Sequence, residues 1–496
     1  MTGNERPINL QAIARETLLR FGFLVDFPPA ALQELARLAE PDFTHSQSKD
    51  LTGWLWSSID NDDSRDLDQL EYICSDPRGT RLSVAVADVV SFVDLGTALD
   101  KAAWHNTTSL YTGVRTFPML PDKLSTDLTS LVEGQDRLAV VIEALITPDG
   151  RLAESNVYRA VVRNQAQLTY HAVAAWLGNE PGNGSPVTER ILAKIRANPA
   201  LQEQLRRQDE LAQALRERRL EAGALTFETM ELRPELSPDY QWELKAATPD
   251  AATRLIEDFM ITANQAVVSF LQAKGFPTVR RVVRTPKNWP RIVNLAAQHG
   301  ATLPAEPEAK PLEDFLTSQR QKDPDRFPHL SLAIIKLLGR GEYTVAAPGG
   351  EAPGHFALAV EGYTHSTAPN RRYPDVLTQR LLQAAFDGSQ PPYSMPQLTD
   401  MAEHCTEKET DANKAERSVH KSVAAVVLAP HIGEKFEGFI TGAAEKGVWV
   451  RLLHPPIEGR VEGTPKAVAV GDRVLVQLIF TDPWRGYIDF RLIERH

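Results

Sequence analysis

The apolar positions of this chain change period three times. In residues 1–48 they recur at helical spacing, with Leu10, Ile13, Ala14, Leu18 and Leu19 and then, after Pro28-Pro29, Leu32, Leu35, Ala36 and Leu38, which predicts two short helices. Period two follows. Trp54 to Ile59 reads as a strand, Leu70 to Cys74 as a second, and Leu82, Val84, Val86 and Val89-Val90 as a third running from Arg81 to Val93. Helical spacing returns over Thr253 to Gln272, where Leu255, Ile256, Phe259, Met260, Ala263, Val267, Phe270 and Leu271 form one broad apolar face, with Glu257 and Asn264 on its edge. A charged helix from about Leu201 to Leu220, carrying Arg206-Arg207 and Arg216 to Arg219 among acids, reads as a solvated face, and Gly178 to Ser185 as an exposed loop. After Ala429-Pro430, Phe436 to Ile440, Gly447 to Leu452, Val474 to Leu478 and Tyr487 to Phe490 alternate as the strands of a five-stranded OB barrel.

The predicted architecture is therefore multidomain α+β. A small N-terminal helical module spans 1–48, either a helix-turn-helix or winged-helix unit or a helical prop on the next domain. A mixed α/β domain spans 49–428, and an all-β OB barrel spans 431–496.

Between the first two strands, Ile59 to Glu71 packs five aspartates and a glutamate. Carboxylates this crowded repel one another and protonate unless a cation sits among them. Three readings are open: a solvated acidic turn, a calcium loop, and a catalytic magnesium site built from Asp60, Asp66 and Asp68. The calcium frame has Arg65 where the sharp turn needs glycine, and its flanks are strands rather than helices. Oxygen donors alone favour a hard divalent ion that activates water at a phosphoryl centre.

A second motif bears on the choice. His355-Phe356-Ala357-Leu358 is followed by Tyr363-Thr364-His365-Ser366-Thr367-Ala368-Pro369-Asn370-Arg371-Arg372-Tyr373-Pro374-Asp375, with Gln379 beyond. Together the two stretches resemble the RNase II/RNase R (RNB) family of exoribonucleases, in which an I-D-x(5)-D-x-D-D loop binds magnesium and a Y-T-x-F-T-S-P-I-R-R-Y-x-D segment supplies the arginine at the scissile phosphate. Ala87-Asp88-Val89, Phe117 to Pro121 with Leu124 to Leu128, and Ile256 to Met260 with Ala263-Asn264 extend the likeness over roughly Leu51 to Leu428. The resemblance implies 3′-to-5′ hydrolysis of single-stranded RNA to nucleoside 5′-monophosphates. One or two Mg2+ ions, with Mn2+ as a substitute, would be held by Asp60, Asp66, Asp68 and Gln69, and Asp68, Arg371 and Arg372 would do the chemistry. It further implies RNA contacts from Tyr111, Trp242, Glu257, Asn264, Tyr373 and Glu416. The C-terminal barrel resembles an S1-like RNA-binding domain, with Trp449 and Arg451 on the strand face opposite Val448, Val450 and Leu452.

The chain departs from the family pattern at three places. Asp68-Gln69 stands where two adjacent aspartates are usual, Ser366 replaces an aromatic or small apolar residue, and Asn370 replaces an aliphatic one before the arginine. A glutamine carbonyl can still ligate magnesium. Gln69 nonetheless keeps a rival reading open, a catalytically silent RNA-binding protein.

Composition adds limits. With 496 residues there is room for two to four domains, and two cysteines far apart exclude a disulfide framework or thiolate zinc site. No apolar leader follows Met1 and no stretch reaches a membrane span, so a cytoplasmic monomer with no membrane or protein partner is expected. The net charge of -11 argues against a basic nucleic-acid footprint over the whole surface, though not against positive charge gathered inside.

Overall fold

The computed structural model describes residues 8–39, 48–178, 182–228, 231–236, 242–247, 249–324, 326–351, 353–444, 447–463 and 468–496. Its centre is a six-stranded sheet in the spatial order Lys49–Asp50, Leu152–Thr169, Trp56–Asp60, Gln69–Asp76, Gly79–Ala87 and Asp136–Ile146. The long strand Leu152–Thr169 pairs with Asp136–Ile146 through its first half and with Trp56–Asp60 through its second, which curls the sheet back on itself. Alternation divides its side chains between two cores. Ile59, Ile73, Leu82, Val84 and Val86 join the helical side, and Trp56, Leu67, Leu70, Ala85 and Ala87 fill the other.

The third strand is shorter than expected. It stops at Ala87, and Asp88 opens a single 3-10 turn, Val89–Ser91. Asp88 does not face solvent: it is buried in an ion pair with Arg159 at 2.9 Å and accepts the Ser91 hydroxyl at 2.8 Å.

The apolar helix is Ala251–Ala273, started by the Asp250 side chain accepting the Thr253 N–H, and it lies on the sheet. The charged helix is Pro199–Glu221. It buries one stripe, Leu201, Leu205, Gln208, Leu211, Ala212 and Leu215, and exposes Glu203, Arg206, Glu210, Glu217 and Arg218, but Arg216 and Arg219 depart from the expected solvated face because they pair with the buried Asp258. Residues 179–181 of the expected loop at Gly178 to Ser185 lie outside the described residues.

The two N-terminal helices are Leu10–Arg20 and Pro29–Arg37. Their apolar faces fill clusters shared with the rest of the chain: Ala14 and Leu18 meet Leu110, Phe117, Ala412, Ala415 and Val419, while Leu10 and Ile13 meet Val423. Of the two alternatives for this segment, the observed packing is that of a prop. Leu19 and Leu32, counted on the inward face from spacing, are exposed, because each helix is short enough for a narrower stripe to make the contact.

The 34-residue helix Met395–Leu428, opened by a Ser394/Gln397 capping box, runs to a closed barrel of Lys435–Ala444, Gly447–Leu452, Glu458–Val461, Tyr487–Arg495 and Arg473–Asp482. Ala424, Ala425 and Leu428 share the barrel's core. The strand absent from the periodicity is Glu458–Val461, too short to register and containing Gly459. A Cβ at Gly459 would fall 2.4 Å from the Phe490 ring and 2.6 Å from the Ile488 carbonyl oxygen. Gly459→Val is expected to destabilise the barrel by about 1–3 kcal/mol, read as a separate early melting transition in calorimetry; an unchanged thermogram would show that the barrel closes without that contact.

Candidate active site

The acidic loop leaves the strand Trp56–Asp60 and returns at Gln69, so its carboxylates gather at one end of the sheet. Asp60 accepts the Asn61 N–H and the Ser64 hydroxyl, both at 2.8 Å. Burial raises its pKa ahead of these hydrogen bonds, and burial together with Asp60's charge raises that of Asp66. Asp68 is 2% exposed, and its pKa is pushed up to about 7, burial outweighing the opposing charge of Arg371.

What meets Asp68 comes from 302 residues further on. The Asn370 N–H donates to its carboxylate at 3.1 Å, and Arg371 Nε lies 3.4 Å away. The Asp68 carbonyl takes the Ala87 N–H at 2.9 Å, and Gln379 Nε2 donates to the Ala87 carbonyl at 2.7 Å, which ties strand ends and helix together at this point. The departure at 366 is fully hydrogen-bonded, and that at 370 only in part, since Asn370 Nδ2 is buried without a partner. Asn370 Oδ1 accepts the Thr129 hydroxyl, and Ser366 gives both its N–H and its hydroxyl to Asn264 Oδ1.

Arg371 and Arg372 are not equivalent. Arg371 keeps 47% of its side chain open beside Asp68, whereas Arg372 closes its fork on Asp375 at 2.9 and 2.8 Å. Asp375 also accepts the Ala368 N–H. Arg372 Nε and Nη2 hold the segment that presents Arg371, the anchoring role open to this residue beside one at the phosphate.

Tyr111 joins the site. Its ring is partly exposed, its hydroxyl interacts with Arg371, and burial of the phenol raises its pKa to about 12. Glu416 accepts the Tyr111 N–H at 2.6 Å, so it fixes the tyrosine's backbone. Ser109 N–H donates to the Arg371 carbonyl at 3.0 Å, and Tyr373 N–H to that of Thr107, joining the two segments.

Three other expected RNA contacts are packed into the protein. Tyr373 is buried, donates its hydroxyl to Asp100 at 2.7 Å and receives Arg380 at 3.0 Å, because as first residue of the helix Tyr373–Phe386 it points inward. Asn264 is buried with its carbonyl oxygen taken by Ser366. Trp242 packs among Leu10, Ile13 and Val423. Glu257 is exposed and its charge acts on Tyr363, while Trp449 and Arg451 stand half-buried on the outer barrel face as alternation predicted. A cavity of about 820 Å3 between the helix Phe327–Leu338 and the barrel is lined by Arg326, His329, Phe439, Arg451 and Arg473; it does not include the acidic loop.

Among the described residues no three His, Cys, Asp or Glu side chains form a cage for an ion. A metal held here would draw on Asp60, Asp66 and Asp68, on the Gln69 carbonyl, and on water and phosphate, the open coordination that magnesium favours. The donor set fits: the acids are hard oxygen ligands whose mutual crowding a cation relieves. Reading the sequence missed Glu71, fully buried on the strand Gln69–Asp76, and Tyr170, whose phenol is raised by burial and by the charges of Asp60 and Glu71. An acid at the inward phase of an apolar strand was the available signal for Glu71.

The RNB domain family matches residues 48–388, and the RNase II-type exonuclease C-terminal S1 domain matches residues 434–493. The chain belongs to the RNB family of RNase II-type exoribonucleases. It is 30% identical over 521 residues to Ribonuclease R of Aquifex aeolicus (strain VF5), covering 97% of this chain and 70% of the relative. It is 29% identical over 509 residues to Ribonuclease R of Escherichia coli (strain K12), covering 94% and 60%. Its fold superposes on Mycoplasma genitalium RNase R in complex with ribose methylated single-stranded RNA with a TM-score of 0.85 at 23% identity, over 98% of this chain and 78% of that one. The chain thus spans some 60 to 70% of the length of these curated relatives. No helix among the described residues is long and apolar enough to cross a membrane.

The raised pKa of Asp68 has a sign that can be checked. A carboxyl whose folded pKa lies above its unfolded value costs no stability below about pH 4 and imposes its full penalty above about pH 7. Asp68→Asn is therefore expected to raise the melting temperature of the metal-free protein at pH 8, by up to about 4 kcal/mol in stability, with the gain vanishing near pH 4. A gain independent of pH would contradict the buried-carboxylate account.

Proposed function

We propose that this chain is a 3′-to-5′ exoribonuclease that hydrolyses single-stranded RNA to nucleoside 5′-monophosphates with a divalent ion, magnesium or in its place manganese. The observation that carries the reading is the meeting of Asp68 with Asn370 and Arg371, which joins the two motifs at one point. The relative solved with single-stranded RNA supports the substrate class.

A bound divalent ion would supply Lewis acidity and lower the pKa of the attacking water. The rest follows from the chain's own groups. Asp60, Asp66 and Asp68 give the negative charge that holds the ion, and burial keeps their field strong. The guanidinium of Arg371 is open enough to reach the phosphate's free oxygens as charge builds on them. Arg372, fixed on Asp375, and Glu416, fixed on the Tyr111 N–H, limit the motion of Arg371 and Tyr111 and so reduce the reorganisation needed at reaction. The partly exposed Tyr111 ring offers a surface for the terminal nucleotide. On the barrel, Trp449 and Arg451 would hold the strand outside the site.

Incubation with a labelled homopolymer and magnesium tests this directly: mononucleotides released from the 3′ end are expected, and tight binding without release would favour the silent RNA-binding protein that Gln69 suggests. Asp68→Asn and Arg371→Ala are expected to bind single-stranded RNA as the parent does while losing about 100-fold or more in turnover. Near-parent turnover by Asp68→Asn in saturating magnesium would place the chemistry elsewhere. Replacing Trp449 and Arg451 by alanine should raise KM with kcat unchanged, and the loss of Arg451 should flatten the salt dependence by about 0.7 per phosphate contact removed; an unaltered KM and slope would leave the barrel a purely structural role.

A further inference from the structure

On the strand Gln69–Asp76, residues 69, 71 and 73 face the same way. Ile73 on this strand, and Leu82 and Val84 on the next, belong to the apolar core beneath that face. Glu71 stands in the same layer, fully buried, and neither of its carboxylate oxygens has a hydrogen-bond partner. An apolar residue would fill this place at lower cost, since a buried polar group left unpaired forfeits its hydration.

The surroundings point to what the carboxylate faces. Asp60 is the neighbouring charge that acts on Glu71. Ser57, directly across from Glu71 on the adjoining strand, and Thr169, level with Asp60, are also buried with unpartnered hydroxyls. Buried polar groups without partners, a carboxylate and two hydroxyls, are thus grouped beside Asp60 at the start of the acidic loop. Gln69 itself provides an amide at a position where the pattern calls for a carboxylate.

Building on the metal-assisted reading above, we propose that Glu71 is the carboxylate the metal site lacks at position 69. An amide has a donor end and an acceptor end. With Glu71 accepting from the Gln69 amide N–H, the Gln69 carbonyl oxygen turns to the ion, and the charge on Glu71 balances the cation that Asp60, Asp66 and Asp68 hold. Glu71 is then a positioning residue acting through Gln69, in the way that outer carboxylates orient metal ligands.

Titration of the metal-free protein with manganese(II) chloride, followed by electron paramagnetic resonance of the free ion, tests this without RNA or turnover. The expected result is that Glu71→Gln and Glu71→Leu bind manganese ten- to a hundredfold more weakly than the parent. Their metal-free forms should melt no lower than the parent, because an unpaired buried carboxylate has been removed. Gln69→Asp combined with Glu71→Leu should return the affinity to the parent's. Parent-like manganese affinity in both single variants overturns the proposal and leaves the exonuclease reading standing. Weaker binding with a lower metal-free melting temperature and no recovery in the double variant marks a packing role and overturns it too. A parent that binds no manganese removes the metal-assisted reading, and this inference with it.

Discussion

The structure turns on carboxylates brought out of water at the end of a sheet. Burial raises the pKa of Asp60, Asp66 and Asp68, and the charge of Asp60 adds to the shift of Asp66 as that of Asp66 adds to the shift of Asp68. Such a cluster is costly unless positive charge is delivered to it. Part of that charge is Arg371, brought beside Asp68 by a segment whose own hydrogen bonds are spent on staying in place: Asn370 to Thr129, Ser366 to Asn264, Arg372 to Asp375. The remainder is left for a divalent ion. On the reading proposed above, a bound cation would relieve this cluster, and the same low-dielectric setting would strengthen the field on a phosphate beside Arg371.

Several arginines near the motif are held inside by packing and by pairing with acids. Arg280 is buried with its pKa lowered by that burial, Arg281 pairs with Glu409 at 2.5 Å over the Tyr343 ring, and Arg372 lies on Asp375.

Much of this was legible in the sequence, and the residues that were not share a physical cause. Period two and period 3.6 located the sheet strands, the helix Ala251–Ala273 and the barrel, because each of these elements buries one face. Motif order located Asp60, Asp68 and Arg371. Residue type alone does not show the direction a side chain takes where tertiary contacts set it. Tyr373 points to Asp100 rather than outward, Asn264 spends its carbonyl on Ser366, and Arg372 spends its fork on Asp375. The short strand Glu458–Val461 escaped because four residues carry too little periodicity, and Glu71 because its inward phase on an apolar strand was read together with the acids of the neighbouring loop.

The central claim is that the acids of this loop and Arg371 form one hydrolytic centre. Anomalous scattering from manganese in crystals of Asp68→Asn grown with a short single-stranded RNA tests it most directly, since the variant should hold substrate uncleaved. The account predicts a manganese peak among Asp60, Asp66 and residue 68, in contact with a phosphate that Arg371 also reaches. Manganese bound elsewhere, or an RNA 3′ end lying away from Arg371, would contradict it.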